Sequence, residues 1–590
     1  MNDMVQAANE KVLEKSAIIP AHLLCGEGLV EAKRQRPGHA VAEYQLRPCD
    51  EDDKLKPWRD TISLGPMIPD RWRIVEAIGI KTNLWDPYSG HNPLKGDLPV
   101  WGKDWFYNLI AVSDTVIEPR HFPVPVGVAT TSRPGALDTI GSGDGSVFSQ
   151  SVILEHVIYK GDTTFRPPDY EFRLTTVFNF NQVRFQERGL LNIDPTLASN
   201  AGRKRTDKFL GIQAAFFDKH LRNVSKRFDF DSLRVGIQPF SSDFRGFLFQ
   251  DSQLGIRLFG NRDNNIFQYN IAWFRRLEKD TNSGLNDLSQ SLRDDDVYTA
   301  NIYWQDFPVL GFVSQGSITY NRNREKGQIE YDQNGFITRP SSLFEERFSR
   351  DYDVTYLGYS GDGHVGRLNV SASAYYALGE QTSSRYRDAK DEINAYFFAS
   401  EFSMDFDWLR PKVSILLASG DDDPFDNIAK GFDAIFENPQ FAGSDTSFFI
   451  RQNVPLIGGG GVSLSGRNGI LPSLRSSKEQ GQSNFINPGL RMIGFGVDAD
   501  ILPELRVSMN LNQLWFDDTS VLEALRQQAP IDNNLGQDIS TSLIWRPYQS
   551  QNIVARLSAA VLIPGKGFEQ LYGNNYGLSY SVLLNLIFTY

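Results

Sequence analysis

Residues 576–590 read YGLSYSVLLNLIFTY, and the parity of this stretch decides the fold. Counting back from Tyr590, Phe588, Leu586, Leu584, Val582 and Tyr580 share one parity. Thr589, Ile587, Asn585, Leu583, Ser581 and Ser579 hold the other. Successive side chains in a strand point to opposite faces, so the segment has one wholly apolar face and one mixed face. A run of this length is longer than the strands of most soluble sheets and long enough to cross a bilayer.

The same alternation recurs along the chain. In YEFRLTTVFNFN (170–181), Tyr170, Phe172, Leu174, Phe178 and Phe180 oppose Glu171, Arg173, Thr175, Asn179 and Asn181. In VGRLNVSASAYYAL (365–378), Leu368, Val370, Ala372, Ala374 and Tyr376 oppose Arg367, Asn369, Ser371 and Ser373. ELRVSMNLNQLWF (504–516) sets Leu505, Val507, Met509, Leu511 and Trp515 against Arg506, Ser508, Asn510 and Asn512. NAYFFASEFSMDFDW (394–408) sets Tyr396, Phe398, Phe402, Met404, Phe406 and Trp408 against Glu401, Ser403, Asp405 and Asp407. Short links at 548–550, 502–504, 409–411, 361–363 and 306–308 alternate with long ones at about 518–535, 421–486, 379–391, 323–350 and 278–295. That rhythm fits an antiparallel membrane barrel with short turns on one side and long loops on the other. The pattern predicts a single transmembrane all-β barrel over 105–590 with 18 strands, 16 being the other even count. Both chain ends then lie on the periplasmic side. Residues 1–104 are polar, Pro-rich and weakly patterned, and read as a periplasmic segment that serves as a plug or docks a periplasmic partner.

Composition agrees. The 590 residues carry a net charge of −12, 41% hydrophobic residues, 40 Phe, 22 Tyr and 10 Trp. The mean hydropathy is −0.35. No run of 18 apolar residues occurs, which excludes transmembrane helices but leaves an alternating barrel open. The acidic balance argues against a nucleic-acid partner. The two cysteines, Cys25 and Cys49, allow one disulfide or two separate thiols. The opening MNDMVQAANEKVLEKSAIIPAHLLCG lacks the charged and apolar regions of a secretory leader. An outer-membrane location would therefore require a leader beyond this sequence.

Tyr590 and the apolar parity of Tyr580, Val582, Leu584, Leu586 and Phe588 resemble the C-terminal signal strand that bacterial barrel-assembly machinery reads. The size, the strand count and the segment LRVGIQPFSSDFRGFLFQDSQLGIRLFG (233–260) resemble porin-like outer-membrane proteins of the alginate-export type. In that family an Arg/Gly-bearing strand flanks an early loop, matched here by Arg234, Gly236, Gln238, Asp243, Arg245 and Gly246. The resemblance implies a channel for polysaccharide in a Gram-negative outer membrane.

The expected register turns Arg173, Arg234, Arg257, Arg367, Arg506 and Arg556 into the lumen, with Glu171, Glu401, Asp405 and Asp498 opposing them. Arginine stays charged and its planar fork suits carboxylates and phosphates, so such a lumen would favour anionic solutes, unless the charges merely pair. The link 421–486 carries SGDDDPFDN and LIGGGGVSLSGRNG. Its length suggests a constriction or lid, and Asp421, Asp422, Asp423 and Asp426 could supply oxygen ligands to Ca²⁺. No other cofactor is expected. Seven scattered histidines and the absence of a G-x-S-x-G or H-E-x-x-H pattern argue against an enzyme. The expectation is a channel for polar or anionic solutes or a polysaccharide. The alternatives are a sheath around a partner such as a multihaem carrier, or a barrel enzyme acting on lipid or polysaccharide.

Overall fold

The computed structural model describes residues 78–121, 143–161, 167–186, 203–225, 229–280, 282–328, 349–384, 386–443, 482–573 and 578–590, with short pieces at 29–31, 43–45, 75, 191, 330–331, 337–339, 454–455 and 461–462. Two compact units divide the chain, residues 1–70 and 71–590. In the first, Leu29–Glu31 and Glu43–Gln45 pair antiparallel. Cys25, Cys49, His22 and His39 lie outside the described residues, and the disulfide question with them.

The second unit is a closed antiparallel barrel. Its 18 long strands are β1 (Trp105–His121), β2 (Asp144–Lys160), β3 (Tyr170–Phe185), β4 (Lys204–Asn223), β5 (Phe230–Ser241), β6 (Gln250–Arg262), β7 (Phe267–Arg275), β8 (Asp295–Trp304) and β9 (Phe312–Arg324). They continue as β10 (Asp351–Val365), β11 (Leu368–Gln381), β12 (Asp391–Met404), β13 (Leu409–Ala418), β14 (Leu490–Leu502), β15 (Leu505–Trp515), β16 (Asn534–Trp545), β17 (Ile553–Pro564) and β18 (Ser579–Thr589). Each pairs with its sequence neighbours, and β18 closes the ring on β1 from Tyr580↔His121 to Thr589↔Val112. Closure pairs the strands all round the ring except at residues 105–110 of β1, which run past the end of β18; an unpaired edge in hydrocarbon would cost several kcal/mol per group.

The polarity of the wall is inverted relative to a soluble barrel. Phe172, Phe178, Tyr396, Met509, Leu511, Tyr580 and Phe588 are exposed on the outer face, whereas Asn179, Asn181, Ser371, Ser373, Asn510, Asn512 and Ser581 are buried on the inner face. The links after β2, β4, β6, β8, β10, β12, β14 and β16 lie on one rim and are mostly the shorter ones, although 161–169 among them is longer than 242–249 on the other rim. The links after the other strands form the long-link rim, so the start of β1 and the end of β18 share the short-link rim.

Two expected turns lie elsewhere. Gly361–Gly363 is strand, and β10 reverses at 366–367. A Cβ on Gly361 would meet the Phe312 ring at 2.5 Å and one on Gly363 the Gly311 carbonyl at 2.3 Å. Those glycines make room for β9, and Gly366, with φ 61°, makes the turn. Residues 409–411 likewise belong to β13, and the reversal falls at 405–408, where Asp407 takes φ 58°. The barrel unit also begins before residue 105, because residues 78–104 pack against the β1 edge. There Leu109 donates to the Leu94 carbonyl at 2.7 Å and Lys95 bridges Asn108.

Candidate functional site

Inside the barrel, the register of β3–β6 aligns Glu171, Asp218, Arg234 and Arg257 in one row. Arg234 forks onto Asp218 at 2.8 Å. Arg173 reaches Glu155 at 3.2 Å and Glu171 at 2.8 Å. The ring of Phe216 lies 4.2 Å from the Arg234 guanidinium and 5.5 Å from that of Arg173. Flat guanidinium faces against rings keep their N–H edges free for carboxylates. Arg257 differs from the others. It stacks 4.8 Å from Phe259 and donates to Asn270 at 2.7 Å. Among the described residues it makes no ion pair.

Two links fold inward from the long-link rim. The link 242–249 between β5 and β6 is built around Asp243. Its buried carboxylate accepts the amides of Gly246 (2.6 Å), Arg245 (2.9 Å), Phe247 and Leu248 (3.1 Å each) and the Tyr375 hydroxyl of β11 (2.7 Å). Gly246 takes φ 75°, and a Cβ there would meet the Asn438 carbonyl at 2.7 Å. This turn aims Arg245 at the facing wall. Arg245 donates to Ser371 at 2.7 Å, to the Gln440 carbonyl at 3.2 Å and to Glu401 at 3.4 Å, and stands 3.8 Å from Asp362.

The second link, between β13 and β14, runs beside the first. Ile435 and Phe436 donate to the Leu248 carbonyl, Gln250 to Phe436, Asn438 to Gly246 and Gln440 to Arg245, at 2.8–3.1 Å. In the ring of 18, β5 and β13 stand eight places apart, so links rooted on nearly opposite walls meet within the lumen. Phe247 packs 5.0 Å from Phe397 and 5.3 Å from Phe441, and Phe432, Ile435 and Phe485 join the same buried cluster.

Of the residues expected in the lumen, Arg173, Arg234, Arg257, Glu171 and Glu401 are there. Arg556 has inward parity, opposite the exposed Leu557, and Asp498 pairs with Lys412 at 3.0 Å. Three others are rim residues. Arg367 sits in the 366–367 turn over Phe406. Asp405 lies in the next turn, held by Arg410 and by Asn369. Arg506 forks onto Asp500 at 2.6 and 2.8 Å at the short-link end of β15. Parity gave their face, but they sit at the strand ends, outside the constricted part. Arg245 was quoted for the family resemblance and not placed in the lumen. The Asp-x-x-Gly turn of Asp243–Gly246 was its available signal.

The four aspartates spend their oxygens on their own link. Asp421 accepts the amides of Lys430 (2.9 Å) and Asp423 (3.2 Å), Asp422 binds the Lys430 ammonium (2.6 Å), Asp423 accepts Phe425 and Asp426 accepts Ile428. Among the described residues no group of three or more His, Cys, Asp or Glu gathers as a metal site, so the Ca²⁺ expectation gains nothing here. Burial, opposed by those two amides, pushes the Asp421 carboxyl up to about 7. His156 and His220 lie in strands and are hydrogen-bonded there. His156 meets the Tyr107 hydroxyl at 2.8 Å and His220 the Asn223 amide at 2.9 Å.

No family model and no curated protein matches the chain. Solved structures are similar to it at low identity. OccK7 (OpdD) of Pseudomonas aeruginosa shares 9% identity over 82% of this chain and 98% of that one, with a TM-score of 0.43. A BenF-like porin from Pseudomonas fluorescens Pf-5 shares 9% over 82% and 98%, at 0.45. OccK2 (OpdF) of P. aeruginosa in complex with glucuronate shares 13% over 82% and 96%, at 0.42.

Proposed function

We propose that the chain is a porin-type channel of a Gram-negative outer membrane, its two ends periplasmic, and that it passes small anionic solutes. The ring of 18 strands with an apolar outside and a polar inside supports membrane insertion. The observation that carries the anion reading is Arg257, a lumen-facing guanidinium held by Asn270 and Phe259 with no carboxylate partner among the described residues. Its neighbours Arg173 and Arg234 are neutralised by Glu155, Glu171 and Asp218. The three arginines and three carboxylates balance in charge, yet because Arg173 draws on both glutamates, Arg257 is the guanidinium of the group without a carboxylate in contact among the described residues, and Arg245 stands on the inward link beyond it. Such a site offers a planar, bidentate partner to a carboxylate. A sheath around a protein gains no support, because the chain's own links 242–249 and 430–443 occupy the lumen. A polysaccharide exporter, which the resemblance to the alginate-export type would imply, would need those links to part.

The test is the reversal potential of the purified protein in a planar bilayer under a salt gradient. Wild type should favour anions, and Arg257→Gln should reduce that preference several-fold. A cation preference in wild type would overturn the reading. So would a selectivity that neither Arg257→Gln nor Arg245→Gln changes, or insertion without any conductance.

A further inference from the structure

The β1/β18 closure leaves an uneven edge. Tyr590 exchanges hydrogen bonds with Ala111, so residues 105–110 of β1 extend beyond the end of β18 toward the short-link rim. Residues 84–101 fill that gap. Leu94 and Lys95 take the positions of a missing strand partner for Leu109 and Asn108. Asn92 is fully buried and donates to the Tyr590 hydroxyl at 3.0 Å and to the carbonyls of Leu84 and Asp86. Lys95 lies 4.2 Å from the Tyr590 ring, and the Tyr590 hydroxyl donates to the Leu84 carbonyl.

This segment carries large side chains that remain exposed among the described residues. Trp85 is 90% exposed, Tyr88 67% and Trp101 56%. Their positions place them on the outer side of the wall. Tyr590 continues the outward parity of Phe588 and Tyr580, and it is Leu84, next to Trp85, that accepts its hydroxyl. Trp101 bridges Trp105 and so shares its face, which is also that of the exposed Ile117. Tyr88 donates to Asn552 at 2.5 Å, in the 546–552 turn beside the exposed Tyr548 and Trp545. Farther round the same rim stand the exposed Trp408, Phe406, Phe307 and Trp304. An aromatic girdle at the level of the headgroups is what a membrane barrel presents at each boundary.

From this continuity we infer that residues 84–101 are a membrane-interface anchor. Trp85, Tyr88 and Trp101 extend the short-link girdle into the headgroup layer across the β17–β18–β1 arc. The occupant of this apolar face is lipid. The segment has two jobs: its backbone caps the free edge of β1, and its rings hold that cap at the bilayer surface. The inference rests on the membrane-spanning reading of the barrel.

The test reconstitutes the full chain, as wild type, Trp85→Phe and Trp101→Phe, into vesicles whose phospholipid carries bromine either near the headgroup or near the chain end. The difference between wild type and each variant isolates one indole. Quenching of the Trp85 and Trp101 signals, stronger with bromine near the headgroup, is the expected result. Signals quenched by neither lipid and open to acrylamide would overturn the inference, since the face would then be turned to water or to a protein. Trp273, Trp304, Trp408 and Trp545 remain in both variants and report on the barrel. Were they also untouched by bromine, the membrane-spanning reading would fall first. Heat-dependent migration on a gel verifies that each variant is folded, and the conservative phenylalanine keeps the ring.

Discussion

Removing the Asp243 carboxylate should release the inward link without unfolding the barrel. The carboxylate accepts four backbone amides and the Tyr375 hydroxyl in a buried turn. Hydrogen bonds to a charged acceptor contribute roughly 1.5–3 kcal/mol each, and an amide left buried and unpaired costs about 1–3 kcal/mol. The bonds share one acceptor group and are not additive, so Asp243→Ala should weaken the link by on the order of 4–6 kcal/mol. Asp243→Asn keeps an oxygen of the same shape and should lose about half of that. Against this stand the five amide bonds to residues 435–440, the Arg245 contacts and the packing of Phe247. At about 1.4 kcal/mol per tenfold, the loss raises the released population by roughly three decades or more. The strands pair independently of the link, so heat-dependent gel migration should persist. Single-channel recordings should show larger, noisier conductance in Asp243→Ala, and trypsin should cut at Arg245 where wild type resists. A folded Asp243→Ala barrel with wild-type conductance and wild-type resistance to trypsin would refute the assignment of 242–249 as a held constriction.

Three further outcomes follow from the geometry. The Asp421 carboxyl, raised from 3.8 to about 7 by burial, is disfavoured in its charged form. The folded link therefore carries no penalty below about pH 4 and the full penalty, on the order of 4 kcal/mol at most, above about pH 7. Protease protection of residues 419–443 should accordingly be stronger at pH 5 than at pH 8, and Asp421→Asn should flatten the profile. Gly246→Ala, at φ 75° with a carbonyl 2.7 Å from the new Cβ, should cost the link about 1–3 kcal/mol and mimic Asp243→Asn in conductance noise. The buried bidentate pair of Arg293 and Glu325, both bonds at 2.8 Å, ties the β7–β8 link to the end of β9. Glu325→Gln should destabilise that corner by about 3–5 kcal/mol, seen as faster amide exchange in residues 286–294, while channel selectivity stays unchanged.

The strands were legible because lipid and lumen impose a strict two-residue period. The expected count of 18 is the observed one, and Phe172, Tyr396, Met509 and Phe588 all point as parity demands. Glycine misled at 361–363, since a glycine that clears a neighbouring ring and one that turns the chain look alike until the neighbour is known. The lumen was legible only in part. Parity assigns a face but not a height along the axis, so Arg367, Asp405 and Arg506 were placed with Arg173, Arg234 and Arg257. The links 242–249 and 430–443 follow no period. Their course depends on partners nearly two hundred residues apart, such as Arg245 and Gln440, and no local pattern announces a contact of that range.

The meeting of those two links has a mechanical consequence. A ring of 18 strands carries its hydrogen bonds along the circumference, and that arrangement resists opening but offers little against flattening into an ellipse. The five amide bonds between residues 245–250 and 435–440 form a chord across the ring, rooted at β5–β6 and β13. Squeezing the barrel along that chord loads the packed rings of Phe247, Phe397 and Phe441, and stretching it loads the amides. The cross-section therefore resists flattening where the chord crosses it.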